Sequence, residues 1–208
     1  MEGKDGYVRT ASDYASKGDK KAKGSFFKNL FSSKSERLDD ARDLYEKAAN
    51  SYKLANEWEL AGQMYSKCAE CERQSDGMPT QYILDAVSCY KKVSNHQFLE
   101  MAENAVRLLA EEGRLNQAAR LRKEVAETYE SEYDLEEAAK SYMKAAELYL
   151  MDDGVSFANQ CYVKGADIKI MLKEVNYQEV IEIYEKVINE YLKKDLLKSS
   201  AKNLIQKV

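Results

Sequence analysis

The sequence is short of the residues that bend a chain. Among 208 residues there are one proline and nine glycines, where an average soluble chain of this length carries about ten and roughly fifteen. Sandwiches, barrels and doubly wound sheets need a Gly, Pro or Asn-Gly signal about every ten residues. All-β and most α/β folds are therefore excluded. Histidine is scarcer still, since His96 is the only one. Neither a Ser-His pair nor a His-based metal triad can be assembled, and no P-loop, G-x-G-x-x-G, H-E-x-x-H or G-x-S-x-G motif occurs. Cys161 and His96 would meet only by tertiary accident. The chain carries no catalytic signature, is read as not an enzyme, and calls for no cofactor.

Other shortages narrow the setting. The four cysteines, Cys68, Cys71, Cys89 and Cys161, are few, no Asn-X-Ser/Thr sequon occurs, and the N-terminus has no apolar run of signal-peptide length. A reducing, cytoplasmic compartment is expected. Cys68 and Cys71 form a C-x-x-C, but a structural zinc site needs two further ligands and none is nearby. Small thiols packed between helices are the better reading. Apolar stretches are only a few residues long, too short for a membrane-spanning helix.

What is plentiful is helix-forming sequence: Ala, Glu, Leu, Lys and Arg fill 97 of the 208 positions. A kernel of small residues around a tyrosine and a lysine recurs as Tyr45-Glu-Lys-Ala-Ala, Tyr65-Ser-Lys-Cys-Ala, Tyr90-Lys-Lys-Val, Tyr142-Met-Lys-Ala-Ala and Tyr184-Glu-Lys-Val. The first three kernels lie 20 and 25 residues apart, and Tyr142 and Tyr184 lie 42 apart, roughly the length of one helical hairpin in tetratricopeptide-like and related arrays. Small residues let helices approach, and tyrosines fill the gaps while keeping a hydroxyl near solvent. The fold class read from this is all-α, an antiparallel helical-repeat solenoid. Apolar spacing and punctuation predict helices at 36–55, 57–74, 79–93, 96–112, 114–131, 134–150, 155–173, 176–193 and 196–207. The supporting links are Asp76-Gly77-Met78-Pro79, Glu112-Gly113-Arg114 and Asp152-Asp153-Gly154. Such an array is expected to form a twisted sheet of hairpins with a concave face suited to long partners.

Residues 1–35 differ in kind from the array at 36–208. Tyr7, Val8, Ala11, Tyr14 and Ala15 define one short amphipathic helix, after which four large apolar residues, Phe26, Phe27, Leu30 and Phe31, fall within six positions. The net charge of −4 hides an asymmetry: residues 16–37 hold seven basic residues against two acidic, a local +5, leaving −9 elsewhere. An acidic chain is a poor general nucleic-acid binder, whereas the basic segment suits an acidic surface. The Phe cluster has two readings. As core it caps the first hairpin. As a membrane loop it inserts while Lys20, Lys21, Lys23, Lys28 and Lys34 sit over anionic headgroups.

The order of motifs resembles the soluble N-ethylmaleimide-sensitive factor attachment protein (SNAP) family, in its alpha branch. The matching text is Gly24-Ser25-Phe26-Phe27-x-x-Leu30-Phe31, then Ala41-x-x-Leu44-Tyr45-x-x-Ala48-Ala49-Asn50-x-Tyr52-Lys53-x-Ala55-x-x-Trp58-x-x-Ala61-Gly62. It continues through Asp85-Ala86-x-x-x-Tyr90-Lys91-Lys92, Gly113-Arg114-x-x-x-Ala118-Ala119-Arg120, Ala126-Glu127-x-Tyr129-Glu130, Ala158-Asn159-x-Cys161 and Leu196-Leu197-Lys198-x-Ser200-Ala201-Lys202. The resemblance implies an adaptor in SNARE-complex disassembly and vesicle trafficking, whose concave face grips the four-helix SNARE bundle. It implies membrane contact by Phe26, Phe27, Leu30 and Phe31 with Lys21, Lys23 and Lys28, and SNARE contact by Lys91, Lys92, Arg114, Arg120, Lys164 and Lys202. It implies an NSF-type AAA ATPase as the partner that unwinds the bundle, and a cytoplasmic protein peripheral on membranes. Gln160 and Asn56 stand where the family usually has basic residues. The family continues past the position of Val208 into a C-terminal bundle and acidic tail that engage the ATPase, so the resemblance implies a chain lacking that region.

Overall fold

A computed structural model describes residues 3–23, 33–193, 202 and 205. The helices are α1 (Lys4–Lys23), α2 (Lys34–Leu54), α3 (Trp58–Gln74), α4 (Thr80–Tyr90), α5 (Asn95–Glu111), α6 (Leu115–Ser131), α7 (Leu135–Met151), α8 (Val155–Lys169) and α9 (Tyr177–Lys193). No strand occurs among the described residues. The fold is the all-α, tetratricopeptide-like helical repeat read from the tyrosine kernel. The helix expected at 196–207 lies largely outside the described residues.

Two compact units divide the chain, residues 1–105 and 106–208. In the first, α1 packs on α2, α2 on α3 and α3 on α4; in the second, α6 packs on α7, α7 on α8 and α8 on α9. Pairing runs antiparallel. Lys4, at the start of α1, reaches Glu57 after the end of α2, whereas Lys21, near the end of α1, reaches Asp40 early in α2.

With so few glycines, the tight links depend on other residues that tolerate left-handed backbone. Asn56 (φ 60°), Asp76 (φ 58°), Asp153 (φ 55°), Tyr133 (φ 61°) and Gly113 (φ 73°) each turn the chain between helices. Asn and Asp tolerate this region because their short polar side chains bond locally. In the link expected at 152–154, Asp153 takes the left-handed position and Gly154 is the N-cap of α8 at φ −81°. Helix α8 stops at Lys169 rather than 173 because its last bonds tighten, Met171 N–H donating to the Ile168 carbonyl and Leu172 N–H to that of Lys169.

The kernel tyrosines are buried: Tyr45, Tyr65, Tyr90, Tyr142 and Tyr184. Each of four ties its hydroxyl to a polar side chain on the preceding helix. Tyr45 donates to Asp19 (2.8 Å), Tyr65 to Asn50 (2.9 Å), Tyr142 to Glu130 (3.0 Å) and Tyr184 to Asp167. The rings reach this depth because small residues lie beneath them. A Cβ placed on Gly18 would stand 2.7 Å from the Tyr45 ring, and one on Gly62 the same distance from the Tyr90 ring. This explains a departure from the sequence reading, in which α1 is short. Gly18 weakens a helix in isolation, but here it is the seat of Tyr45, and α1 runs on to Lys23.

Gly62→Ala tests the seat. Alanine gains about 1 kcal/mol of helix propensity, while forcing a methyl against the buried Tyr90 ring costs about 1–3 kcal/mol. The expected net is a loss of about 1 kcal/mol, read as a lower urea midpoint; an unchanged or raised midpoint would show that the ring gives way freely.

Candidate functional site

The proposed membrane residues Phe26, Phe27, Lys28, Leu30 and Phe31 lie outside the described residues. Lys21 and Lys23 sit in the last turn of α1. Lys21 is engaged by Asp40 of α2, while Lys23 is exposed and borders a cavity of about 270 Å³ lined also by Ala22, Leu38, Tyr45 and Cys71. Across that cavity Asp19 accepts from both Tyr45 and Lys67, the Lys67 Nζ lying 2.7 Å from its Oδ1 and 5.0 Å from the centre of the Tyr45 ring. The hydrogen bond from Lys67 holds the Asp19 carboxyl below its ordinary range, assisted by Tyr45. Burial, then the bond to Asp19, pushes the Tyr45 phenol up.

Of the six basic residues expected to meet a SNARE bundle, Lys91 and Lys92 belong to the first unit and Arg114, Arg120, Lys164 and Lys202 to the second. Their surroundings differ in a way that matters for binding an acid. Lys92 follows α4, is exposed, and stands 3.4 Å from the centroid of the Trp58 ring at the start of α3. Lys91 lies 5.9 Å from the Phe98 ring of α5. A ring face holds an ammonium in place without cancelling its charge. Carboxylates do cancel it. Arg114, at the N-cap of α6, donates to Glu112 (3.0 Å) and to Gln117, and Lys164 of α8 pairs with Glu130 of α6 at 2.7 Å. Arg120 is exposed on α6, near enough to Tyr149 that its charge opposes the burial-driven rise of that phenol's pKa. Lys202 is helical and exposed.

Sequence spacing could not find the partners. Trp58 and Lys92 are separated by most of a hairpin, and nothing in either neighbourhood marks the other. Glu130 was visible only as a family match, yet it ties Tyr142 and Lys164 together across three helices. The departure at Asn56 has a backbone reason: it occupies the left-handed turn between α2 and α3, where asparagine is tolerated far better than lysine.

All four cysteines are buried and free. The Cys68 thiol donates to the Arg42 carbonyl at 3.5 Å. Burial pushes the Cys68 and Cys71 thiols up and raises Cys161 to about 11, the state of inert packing thiols. No group of three or more His, Cys, Asp or Glu among the described residues could hold a metal ion. His96 is exposed in the first turn of α5. No described helix is long and apolar enough to cross a membrane.

A family model described as soluble NSF attachment protein, SNAP, matches residues 9–207. The chain is 37% identical over 197 residues to an alpha-soluble NSF attachment protein of Vitis vinifera, covering 94% of this chain and 65% of that protein. It is 32% identical over 182 residues to the Homo sapiens protein of the same name, covering 86% and 61%. A vesicular-fusion protein, SEC17, of Komagataella phaffii is 32% identical over 125 residues, covering 58% and 42%. The chain thus spans under two thirds of the length of these relatives. Among solved structures it is similar to a signal-transduction ATPase with a tetratricopeptide repeat sensor from Pyrococcus horikoshii, at a TM-score of 0.50 and 17% identity, covering 90% of this chain and 31% of that one. That likeness concerns the fold.

The contact between Lys92 and Trp58 is directly measurable, because Trp58 is the only tryptophan. Lys92→Met is expected to shift tryptophan emission and lower stability by about 0.5–1 kcal/mol, with Lys92→Arg closer to wild type. Emission unchanged in Lys92→Met would show that the ammonium does not rest on the ring.

Proposed function

The chain belongs to the soluble NSF attachment protein family, and from that premise we propose that it is an adaptor, not an enzyme. In this reading it binds SNARE four-helix bundles through its basic residues and attaches to anionic membrane through the segment carrying Phe26, Phe27, Leu30 and Phe31. It serves their disassembly by an NSF-type AAA ATPase. The division into an entry segment at 1–35 and an array at 36–208 belongs to the same reading, as does a cytoplasmic location peripheral on membranes. One observation carries it: the family match runs along residues 9–207 and takes in both the Phe-rich segment and every proposed basic contact.

The mechanism this supports is electrostatic. A helical bundle with an acidic surface offers no cavity for an anchor, so recognition rests on many weak, long-range attractions that tolerate sequence change and fade with salt. Lys92, held by the Trp58 ring, contributes most, because its charge remains for the partner. Lys164 and Arg114 contribute less, since each first has to share or leave a neighbour within the chain. At the membrane, full burial of four large apolar side chains is worth about 1.5–3 kcal/mol each as an upper bound, and each lysine near an anionic surface adds about 1 kcal/mol. Partial insertion therefore suits a reversible anchor, and two weak contacts on one chain give avidity that neither has alone.

Two experiments test the two contacts. Binding to an assembled SNARE complex is expected to weaken about three- to tenfold with Arg120→Glu or Lys92→Glu, less with Lys164→Ala, and steadily with added salt. Indifference to both charge and salt would sink the assignment. Flotation with phosphatidylserine vesicles is expected to be lost in the Phe26→Ser, Phe27→Ser double variant with far-UV helicity retained; loss of helicity instead would mean that the Phe cluster is core.

A further inference from the structure

Unit 1 has two ends of different character. At one end, α1 finishes, α2 begins, α3 finishes and α4 begins; the antiparallel pairs fix this, with Lys21 on Asp40 and Arg42 on Glu72. The segment 24–32 leaves and re-enters the described structure here, after Lys23 and before Ser33. The turn joining α3 to α4 lies at the same end and carries Met78, 71% exposed. The other strongly exposed apolar residues of this unit, Leu54 and Val93, follow the ends of α2 and α4 and so sit at the opposite end.

The turn is built to hold Met78 out. Ser75 N–H donates to the Cys71 carbonyl (3.1 Å) and Gly77 N–H to that of Glu72 (2.8 Å), with Asp76 left-handed between them. Pro79 then caps α4, its carbonyl accepting from Ile83 N–H (3.1 Å). Met78 is thereby fixed between a closed helix end and a proline. The charge around it is graded by pairing. Asp40 is taken by Lys21, Glu70 by Arg73, and Asp39, Asp43 and Glu72 by Arg42. Asp76 in the turn and Glu36 in the first turn of α2, which caps Ser33 N–H, remain as acids, against exposed Lys20, Lys23 and Lys34 on the helix ends.

We propose that the α3–α4 turn is a second point of membrane contact, with Met78 entering the interface of an anionic bilayer at the end of the unit where Lys23 and Ser33 stand. This rests on the membrane reading above and adds a rigid contact to it. An apolar tip on a cationic rim fits anionic lipid by charge and by depth. Two contacts on one end of a helical unit also set which end faces the membrane, which a single loop cannot do.

The four native cysteines are buried with raised thiol pKa values, so an introduced surface thiol is labelled selectively. Met78→Cys and, separately, Leu54→Cys are labelled with an environment-sensitive fluorophore and mixed with phosphatidylcholine vesicles with and without phosphatidylserine. The probe at 78 is expected to shift to the blue and brighten with phosphatidylserine, and the probe at 54 to stay unchanged. Met78→Asp is expected to lower vesicle partitioning about tenfold, the scale on which losing one buried apolar side chain changes an equilibrium. If the wild-type chain does not bind vesicles, the membrane reading and this proposal fall together. If it binds while the probe at 78 stays in water, or while both probes respond alike, this proposal alone is overturned.

Discussion

The contact on which each unit depends is a buried tyrosine with its hydroxyl closed by a polar group of the neighbouring helix. Tyr45 rests on Gly18 and bonds Asp19; Tyr142 bonds Glu130; Tyr184 bonds Asp167. A bulky, half-polar ring buried between helices demands two things at once, space and a partner, and for Tyr45 both come from α1. For Tyr45 and Tyr90 the space comes from Gly18 and Gly62. The partner is a charged-group hydrogen bond worth about 1.5–3 kcal/mol, and losing it would leave a buried oxygen unsatisfied. Helices α2, α3, α7 and α9 are thus each tied to the previous one by a tyrosine bond that fits at one place along its length.

That arrangement decides which charges are left for a partner. The carboxylates that close tyrosines also collect lysines: Asp19 takes Lys67, and Glu130 takes Lys164. Internal order and external recognition therefore compete for the same cations. Lys92 escapes the competition because it is held by an aromatic face rather than an acid. Exposed ion pairs contribute little to stability, so a charge already committed to one loses value for binding without adding much to the fold. The useful surface is the remainder after this internal pairing, not the total of basic residues.

Much of the fold was legible because it is written in short-range pattern. The kernel tyrosines, the alanines beside them and the sparse punctuation placed α2 to α9 within a few residues, since helix periodicity is a local property. The failures were where tertiary contact overrides local preference. Gly18 reads as a weak point in a helix and is instead a seat for Tyr45. The link at 152–154 was legible, but not that Asp153 would take its left-handed position. The candidate site was legible only as residue types along a family pattern. Which lysines keep their charge depends on Trp58, Asp19 and Glu130, residues brought close by packing and separated in sequence by spans that no periodicity connects.

The scarcity of glycine and proline bears on function through the turns. A chain with few glycines closes its links with Asn56, Asp76, Asp153 and, at one link, Tyr133. For Asn and Asp the left-handed region is tolerable; for a tyrosine it is strained, by about 1–2 kcal/mol relative to right-handed backbone. Short, tightly bonded links leave little freedom for one helix to shift against the next, since each turn is tied into the helix before it, as Asn56 is to Lys53 and Glu57 to Tyr52. Within a unit the basic side chains are accordingly carried on a stiff frame, and adaptation to a partner falls to side chains rather than backbone. On the proposed reading, a stiff frame bearing long lysines tolerates changes in an acidic surface while keeping its spacing, so specificity within a unit would follow from where charges stand and not from a shaped cavity.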